Sequence, residues 1–518
     1  MSEPTRRKSA VVLVLGDLGR SPRMQYHALS LAEQFARVHL IGFSGERCVP
    51  AVEAAANIEQ VRLEADLLPR PRARVLYLLY APAKALAQLL QLLYILLLVL
   101  PRADVTLVQT PPAIPALAAL WLTRLLRGGA LVIDWHNLGF SVLRHGLGRA
   151  NHPFVRLSYL YERTFGRLAN GHLCVTHAMA RWLRSEWGLD ARVLYDRPPV
   201  FFRRLELVER HALLRRLAPQ LVDARGTPLW PREAGHSSGD GGGGDGEASP
   251  SPWASEGTPW TLWRDGRLVE RPAAPRLVVS STSWTADEDF GLLLDALARL
   301  DARLLAESAE SAAGEGGGAA APPPPPRVVV AITGKGPLKA HYEHYLREHP
   351  LRTVAVCTMW LEPEDYPRLL GSADLGVCMH TSTSGLDLPM KVLDMFGCGL
   401  PVCAVDFECL RELVTHRENG YVFRTRDEVR RTMARPYHLW VPHPRPCHHS
   451  WPTATPRVGS YHQIRAPYPH SSRNSCMRSS PRRPRRAARW TGCALVPPRP
   501  RHAVPDGKRT GGWPPGRS

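Results

Sequence analysis

Short apolar runs, each followed by a stretch with helical spacing of its apolar residues, recur along most of this chain. That alternation restricts the fold more than any other feature. Ser9–Leu15 is a continuous apolar run suited to a strand buried on both faces. The turn Gly16–Arg20 follows, and Met24–Ala36 has helical spacing. Val38–Phe43, Asp104–Gln109, Ala130–Asp134 and His172–Thr176 repeat the pattern. A second series opens with strand Arg276–Ser280 and helix Phe290–Leu300, then strand Arg327–Thr333 and helix Gly336–Glu348. Thr353–Cys357, Tyr366–Leu370, Leu375–Cys378 and Val402–Ala404 continue it. Buried strands alternating with helices specify parallel sheets. The expected architecture is therefore α/β, with two Rossmann-like, doubly wound domains facing a central cleft. Ligands in such folds lie beyond the carboxyl ends of the strands.

Breaks in composition divide the chain. The expected units are a first domain over 9–202, a linker over 203–275, a second domain over 276–428 and a disordered Pro/Arg-rich tail over 429–518. The linker carries the low-complexity insertion HSSGDGGGGDGEASPSP, and the second domain a low-complexity loop over 306–326. The formal charge of +19 is a property of the tail, which holds 18 of the 66 Lys and Arg and one acidic residue; the body nets +2. The basic balance thus says nothing about what the folded part binds. Ten cysteines in 518 residues, irregularly spaced, exclude a small disulfide scaffold and suit a reducing compartment. The polar segment before Val11 is no secretory signal, and no Asn-x-Ser/Thr acceptor occurs. Both fit a body facing the cytosol.

Val75–Leu100 is 26 residues with one charge, Lys84. As a helix it would measure about 39 Å, enough to cross a bilayer. The competing reading is a crossover helix, with one face on the sheet and the other in the lipid interface, flanked by Arg70, Arg72, Arg74 and Arg102. Pro82, Gln88, Gln91 and the strand that follows favour the crossover helix.

Four local signals fall at strand-to-helix junctions. Gly16-Asp17-Leu18-Gly19-Arg20-Ser21-Pro22-Arg23 allows close backbone approach to a ligand, with Asp17, Arg20 and Arg23 as polar contacts, or is a plain tight turn. Asp134-Trp135-His136-Asn137 ends a strand, placing an imidazole where an acid/base group is useful, or where a structural histidine sits. Thr333-Gly334-Lys335-Gly336-Pro337 offers backbone amides and a cation to a diphosphate, or is a structural turn. The most specific string is Ser384-Gly385-Leu386-Asp387-Leu388-Pro389-Met390-Lys391-Val392-Leu393-Asp394, continuing to Gly399-Leu400-Pro401-Val402. Lys391 and Asp394, three apart, share a helix face, suiting phosphate and a ribose diol respectively. Two acidic and histidine clusters are set aside. Thr285 and Glu288 form a capping box, so Asp287-Glu288-Asp289 serves a helix start, and Cys447-His448-His449 has no zinc-site spacing.

Pro389-x-Lys391-x-x-Asp394…Gly399-x-Pro401-Val402 resembles the donor-nucleotide motif of GT-B glycosyltransferases. GDLGRSPRMQYHALSLA, VIDWHNLGFS, HPFVRLSYLYERTFGRLA, VSSTSWTADEDF and ITGKGPL are similar to the chitobiosyldiphosphodolichol β-mannosyltransferase family, from about Val11 to about Glu428. The resemblance implies inverting transfer of mannose from GDP-mannose to GlcNAc-GlcNAc-diphosphodolichol on the cytosolic face of the endoplasmic reticulum membrane. It implies donor binding by Gly334, Lys335, Gly336, Ser384–Asp387, Lys391 and Asp394. The acceptor side would use Gly16, Gly19, Arg20, Arg23 and Asn137, with His136 or Asp17 as base and Asp134 as orienter. No cofactor or metal is required, because fixed cations and amides meet the diphosphate. Other dolichol-pathway mannosyltransferases are candidate partners, and no specific nucleic acid is expected. Relatives are expected to carry an N-terminal membrane anchor, leaving attachment here to Val75–Leu100. They also continue past Glu-Asn-Gly-Tyr-Val-Phe with helices, where this chain is Pro/Arg-rich, so apolar surface on the second lobe would be uncovered. The rivals are a retaining enzyme of the same architecture, a basic-tail module binding anionic membrane or nucleic acid, and an inactive scaffold.

Overall fold

The computed structural model describes residues 8–69, 77–149, 151–229, 257–285, 288–313, 326–425 and 428. The expected tail over 429–518, the insertion over 230–256 and residues 70–76 lie outside these, and Arg70, Arg72 and Arg74 with them.

The first lobe is a seven-stranded parallel sheet. Its strands are β1 (Ser9–Asp17), β2 (Arg37–Phe43), β3 (Ile58–Leu63), β4 (Val105–Thr110), β5 (Ala130–Trp135), β6 (Gly171–Cys174) and β7 (Ala191–Val193), in the order β3-β2-β1-β4-β5-β6-β7. Strand β1 pairs with β2 and β4, so the order reverses there and opens a crevice at the carboxyl ends. Alternate side chains of β1 face opposite layers. Ala10, Val12 and Val14 pack under α1 (Pro22–Ala32) and α2 (Pro50–Glu53). Val11, Leu13 and Leu15 belong to the opposite layer, with α3 (Tyr77–Tyr94), α4 (Ala116–Arg127), α5 (Gly139–Leu147), α6 (Pro153–Arg167) and α7 (His177–Trp182). Both faces of the central strands are thus covered, which is why they read as continuous apolar runs.

The long apolar segment is a crossover helix. α3 runs into a wider turn, Ile95–Val99, and Leu92, Leu96 and Leu100 are buried in the core. Arg127 donates to the carbonyls of Leu96 (3.0 Å) and Leu100 (2.7 Å) and to that of Leu97, satisfying the helix end from within the lobe.

Within 203–275, expected as linker, the described residues form α8 (Leu207–Leu217) and a hairpin of β8 (Thr261–Arg264) and β9 (Arg267–Glu270). The second lobe is a six-stranded parallel sheet of β10 (Arg276–Ser281), β11 (Val328–Thr333), β12 (Val354–Met359), β13 (Leu375–Cys378), β14 (Val402–Val405) and β15 (Gly420–Phe423), ordered β12-β11-β10-β13-β14-β15. Helices α9 (Phe290–Ala313), α10 (Lys339–Glu348), α11 (Asp365–Ser372) and α12 (Met390–Gly397) cover it. α9 continues to Ala313, into the stretch expected as a loop from 306, because LDARLLAESA keeps helical periodicity. Phe202 of the connector and Leu213, Leu214 and Leu217 of α8 join the inner layers of both lobes into one apolar cluster. All seven cysteines among the described residues are free and buried.

Candidate functional site

The carboxyl ends of both sheets meet. Glu412, just beyond β14, accepts from the amides of His177 and Ala178 (both 2.7 Å) and from the Tyr195 hydroxyl (2.9 Å). One carboxylate of the second lobe thereby caps the start of α7 in the first. Thr176 donates to the Leu386 carbonyl (2.5 Å), and Asn137 reaches Thr383 (3.5 Å).

On the first-lobe side lies a buried charge network that the sequence reading assembled only in part. Arg23 enters from α1 and grips Asp134 with two bonds of 2.6 and 2.8 Å, while its third nitrogen reaches Asp196 at 2.9 Å. His27 is 2.9 Å from the same Asp134. Asp134 is fully buried; burial alone would raise its pKa, but Arg23 and His27 hold the carboxyl well below the usual range. His136 is 3.2 Å from Asp196 through Nε2. Burial opposes charging of this imidazole, yet the Asp196 bond and charge outweigh it and raise its pKa.

These contacts correct two expectations. Asp134 does not orient His136: its oxygens are taken by Arg23 and His27, and Asp196, just past β7, has that place. Asp17, the other candidate base, is engaged in a turn. Its carboxylate accepts from the amides of Gly19 (2.9 Å) and Glu46 (3.1 Å), tying the β1 and β2 loops together. Gly19 is forced by that closure, since a Cβ there would stand 2.6 Å from the backbone of Glu46. Arg20 is exposed and paired with Glu46 (2.6 Å), while Gly16 takes part in the same turn. Arg23, expected as a cleft contact, is a buried bridge instead.

On the second-lobe side, Asp394 of α12 is largely enclosed, with Tyr366 as hydrogen-bond donor and no cation against it among the described residues. Burial pushes its carboxyl up to about 7. Its field also raises the pKa of Tyr26, on α1 of the opposite lobe, although burial contributes more to that rise. Lys391, one turn earlier, meets Glu288 at 2.5 Å. Glu288 is therefore no capping residue: it also accepts from Thr282 and, at 2.9 Å, from the Ser283 amide. Lys335 stands over the Trp360 ring, 3.8 Å from its centre.

Gly334 and Gly336 serve a different purpose from the expected phosphate cradle. The Gly334 amide is committed to the Met359 carbonyl at 3.2 Å. Gly334 has φ +139, and Cβ atoms at the two glycines would stand 1.9 and 1.8 Å from the Thr282 and Ser283 carbonyls. The glycines let two loops pass, and Lys335 is the group they present. Ser382 and Ser384 donate to Asp387 and close the loop through Gly385, at φ +75, to buried Leu386.

Glu162 of α6 is buried against the start of α5, where it accepts from the Phe140 amide (3.5 Å), with the Gly139 amide and the Ser158 hydroxyl also on its carboxyl. Burial raises it to about 8, so the folded chain takes up a proton there. Its contribution to stability is complete below the unfolded pKa near 4.5 and is lost as pH rises toward 8. Glu162→Gln is expected to remove that slope and gain about 2–3 kcal/mol at pH 7, read from urea midpoints at acid and neutral pH. Parallel profiles for the two proteins would count against it.

The sequence matches the models described as "Glycosyl transferase 4-like domain", over residues 19–195, and "Glycosyl transferases group 1", over 319–435. It is 43% identical over 429 residues to "UDP-glycosyltransferase TURAN" of Arabidopsis thaliana, covering 82% of this chain and 88% of that protein. It is 42% identical over 431 residues to "Chitobiosyldiphosphodolichol beta-mannosyltransferase" of Homo sapiens, covering 82% and 83%. Among solved structures, the sucrose-phosphate synthase of Thermosynechococcus elongatus shares the fold with a TM-score of 0.52 at 13% identity, covering 85% of this chain and 93% of that one.

Proposed function

Since the chain belongs to the chitobiosyldiphosphodolichol β-mannosyltransferase family and has its GT-B fold, we propose that it transfers mannose from GDP-mannose to GlcNAc-GlcNAc-diphosphodolichol with inversion. The observation that carries this reading is Asp394: an enclosed carboxyl without a counter-charge, one helical turn from Lys391, at the mouth between two sheets. A ribose diol supplies the donors that such a carboxylate wants. Lys391 turns from Glu288, and Lys335 from Trp360, toward the diphosphate, so protein cations meet the charge of the leaving group. No divalent ion enters this reading.

His136 is the base. With Nε2 directed at Asp196, Nδ1 is the atom free to take the proton of the acceptor hydroxyl. That oxygen attacks the anomeric carbon in line as the bond to GDP breaks on the opposite side. The reaction belongs at the endoplasmic reticulum membrane, with both lobes on the cytosolic face.

Incubating the purified chain with chitobiosyl-diphospholipid and either GDP-mannose or UDP-sugars tests the reading. β-Mannosidase should release the added sugar; transfer only from a UDP-sugar, or an α-linked product, would sink it. Asp394→Ala is expected to weaken GDP-mannose binding by about 10- to 100-fold with a smaller change in turnover, measured by calorimetry and steady-state kinetics. In the wild type, donor affinity should rise with pH through about 7, as Asp394 ionises.

A further inference from the structure

The two faces of the first lobe differ in chemistry. The α1–α2 face exposes Glu33 and Glu53. On the other face α3, α4 and α5 contain no acidic residue, and the only one in α6 is buried Glu162. That same face leaves large apolar side chains in solvent. Along α3 and the wider turn that continues it, Leu79, Leu86, Leu90 and Leu98 form one stripe, with Leu79 and Leu98 each 74% exposed, opposite the buried Leu92 and Leu96. Leu125 and Leu126 continue it at the end of α4, which Arg127 joins to the end of α3. α6 lies beside α4, its Tyr161 hydroxyl accepting from the Ala118 amide at 2.9 Å. It presents a second stripe of Phe154, Leu157 and Leu160. Arg144, Arg149 and Arg156 are exposed around this stripe.

We propose that this face lies flat on a phospholipid bilayer, with α3 and the α5–α6 pair as two separate points of contact. Leucine and phenylalanine stripes fringed by arginine, where the exposed Asp66 carboxylate is paired with Lys84 at 3.4 Å, match an acyl-chain boundary beneath anionic headgroups. The segment Leu79–Val99 is long and apolar enough to cross a membrane, but the same contacts oppose it: withdrawing the helix would strip Leu92, Leu96 and Leu100 from the core and release three carbonyls from Arg127. The inference deepens the reading above, in which the acceptor is a lipid, but its readout does not depend on catalysis.

The full chain is floated with phosphatidylcholine vesicles at high salt, where the basic tail adds nothing, and with phosphatidylserine-containing vesicles at low salt. Wild type should float with both and be stripped by alkaline carbonate. Leu157→Glu/Leu160→Glu and Leu86→Glu/Leu90→Glu should each lower partitioning by about tenfold or more with unchanged thermal unfolding. Hydrogen exchange in 139–161 of the wild type should slow on vesicle addition. Wild-type flotation of the α6 variant, resistance to carbonate, unchanged exchange in 139–161, or a dimer split by either variant would each overturn the proposal. Vesicle binding without mannosyl transfer would leave this surface standing and remove the functional reading. Transfer to detergent-dispersed acceptor by a chain that ignores vesicles would do the reverse.

Discussion

His136→Ala is expected to lower turnover by about 10²–10⁴-fold while donor affinity stays within about twofold, because the proposed base would act on the acceptor proton and not on the nucleotide. The pH profile separates this role from a merely structural one. A base must be unprotonated, so turnover should rise with pH through the elevated pKa of His136. Asp196→Asn removes the charge that raises it and leaves burial, which lowers it; the acid limb should therefore move to lower pH, with a reduced plateau as the ring loses its orientation. Single-turnover rates across pH for wild type and both variants decide the matter. An unmoved acid limb in Asp196→Asn would mean that His136 is not the titrating base.

The second large effect concerns stability. Arg23→Ala is expected to destabilise the first lobe by about 3–5 kcal/mol, because it strands Asp134 without its main counter-charge in a fully buried position, 111 residues away in sequence. The double replacement Arg23→Met/Asp134→Leu should recover much of that loss, since removing both charges also removes the cost of burying them, and should leave Asp196 to His136 alone. Urea unfolding followed by tryptophan fluorescence measures both. A loss below about 1 kcal/mol in Arg23→Ala would show that water or another cation replaces the guanidinium.

What the sequence disclosed follows from burial. β1, β4, β5, β10 and β11 lie inside their sheets and are covered on both faces, so their residues form apolar runs that need no tertiary information to find. β3 lies at a sheet edge and reads Ile-Glu-Gln-Val-Arg-Leu, half polar because one side meets water, and β15 is another edge strand; neither was expected. Lys391 and Asp394 could be paired from spacing alone, since helix geometry fixes their face. Asp196 could not: it follows β7 in Tyr-Asp-Arg-Pro-Pro, where no periodicity points anywhere, and acquires its partner only through the β5–β6–β7 order of the sheet. Glu288 misled for a related reason. Its spacing from Thr285 satisfies a local capping rule, yet a distant lysine and the preceding loop claim it.

Glu412 ties the lobes with both of its oxygens, and two of its three donors are main-chain amides, which only a proline at 177 or 178 would delete. Any parting of the two lobes would have to break these bonds together, so the carboxylate that joins the sheets is also what resists their separation.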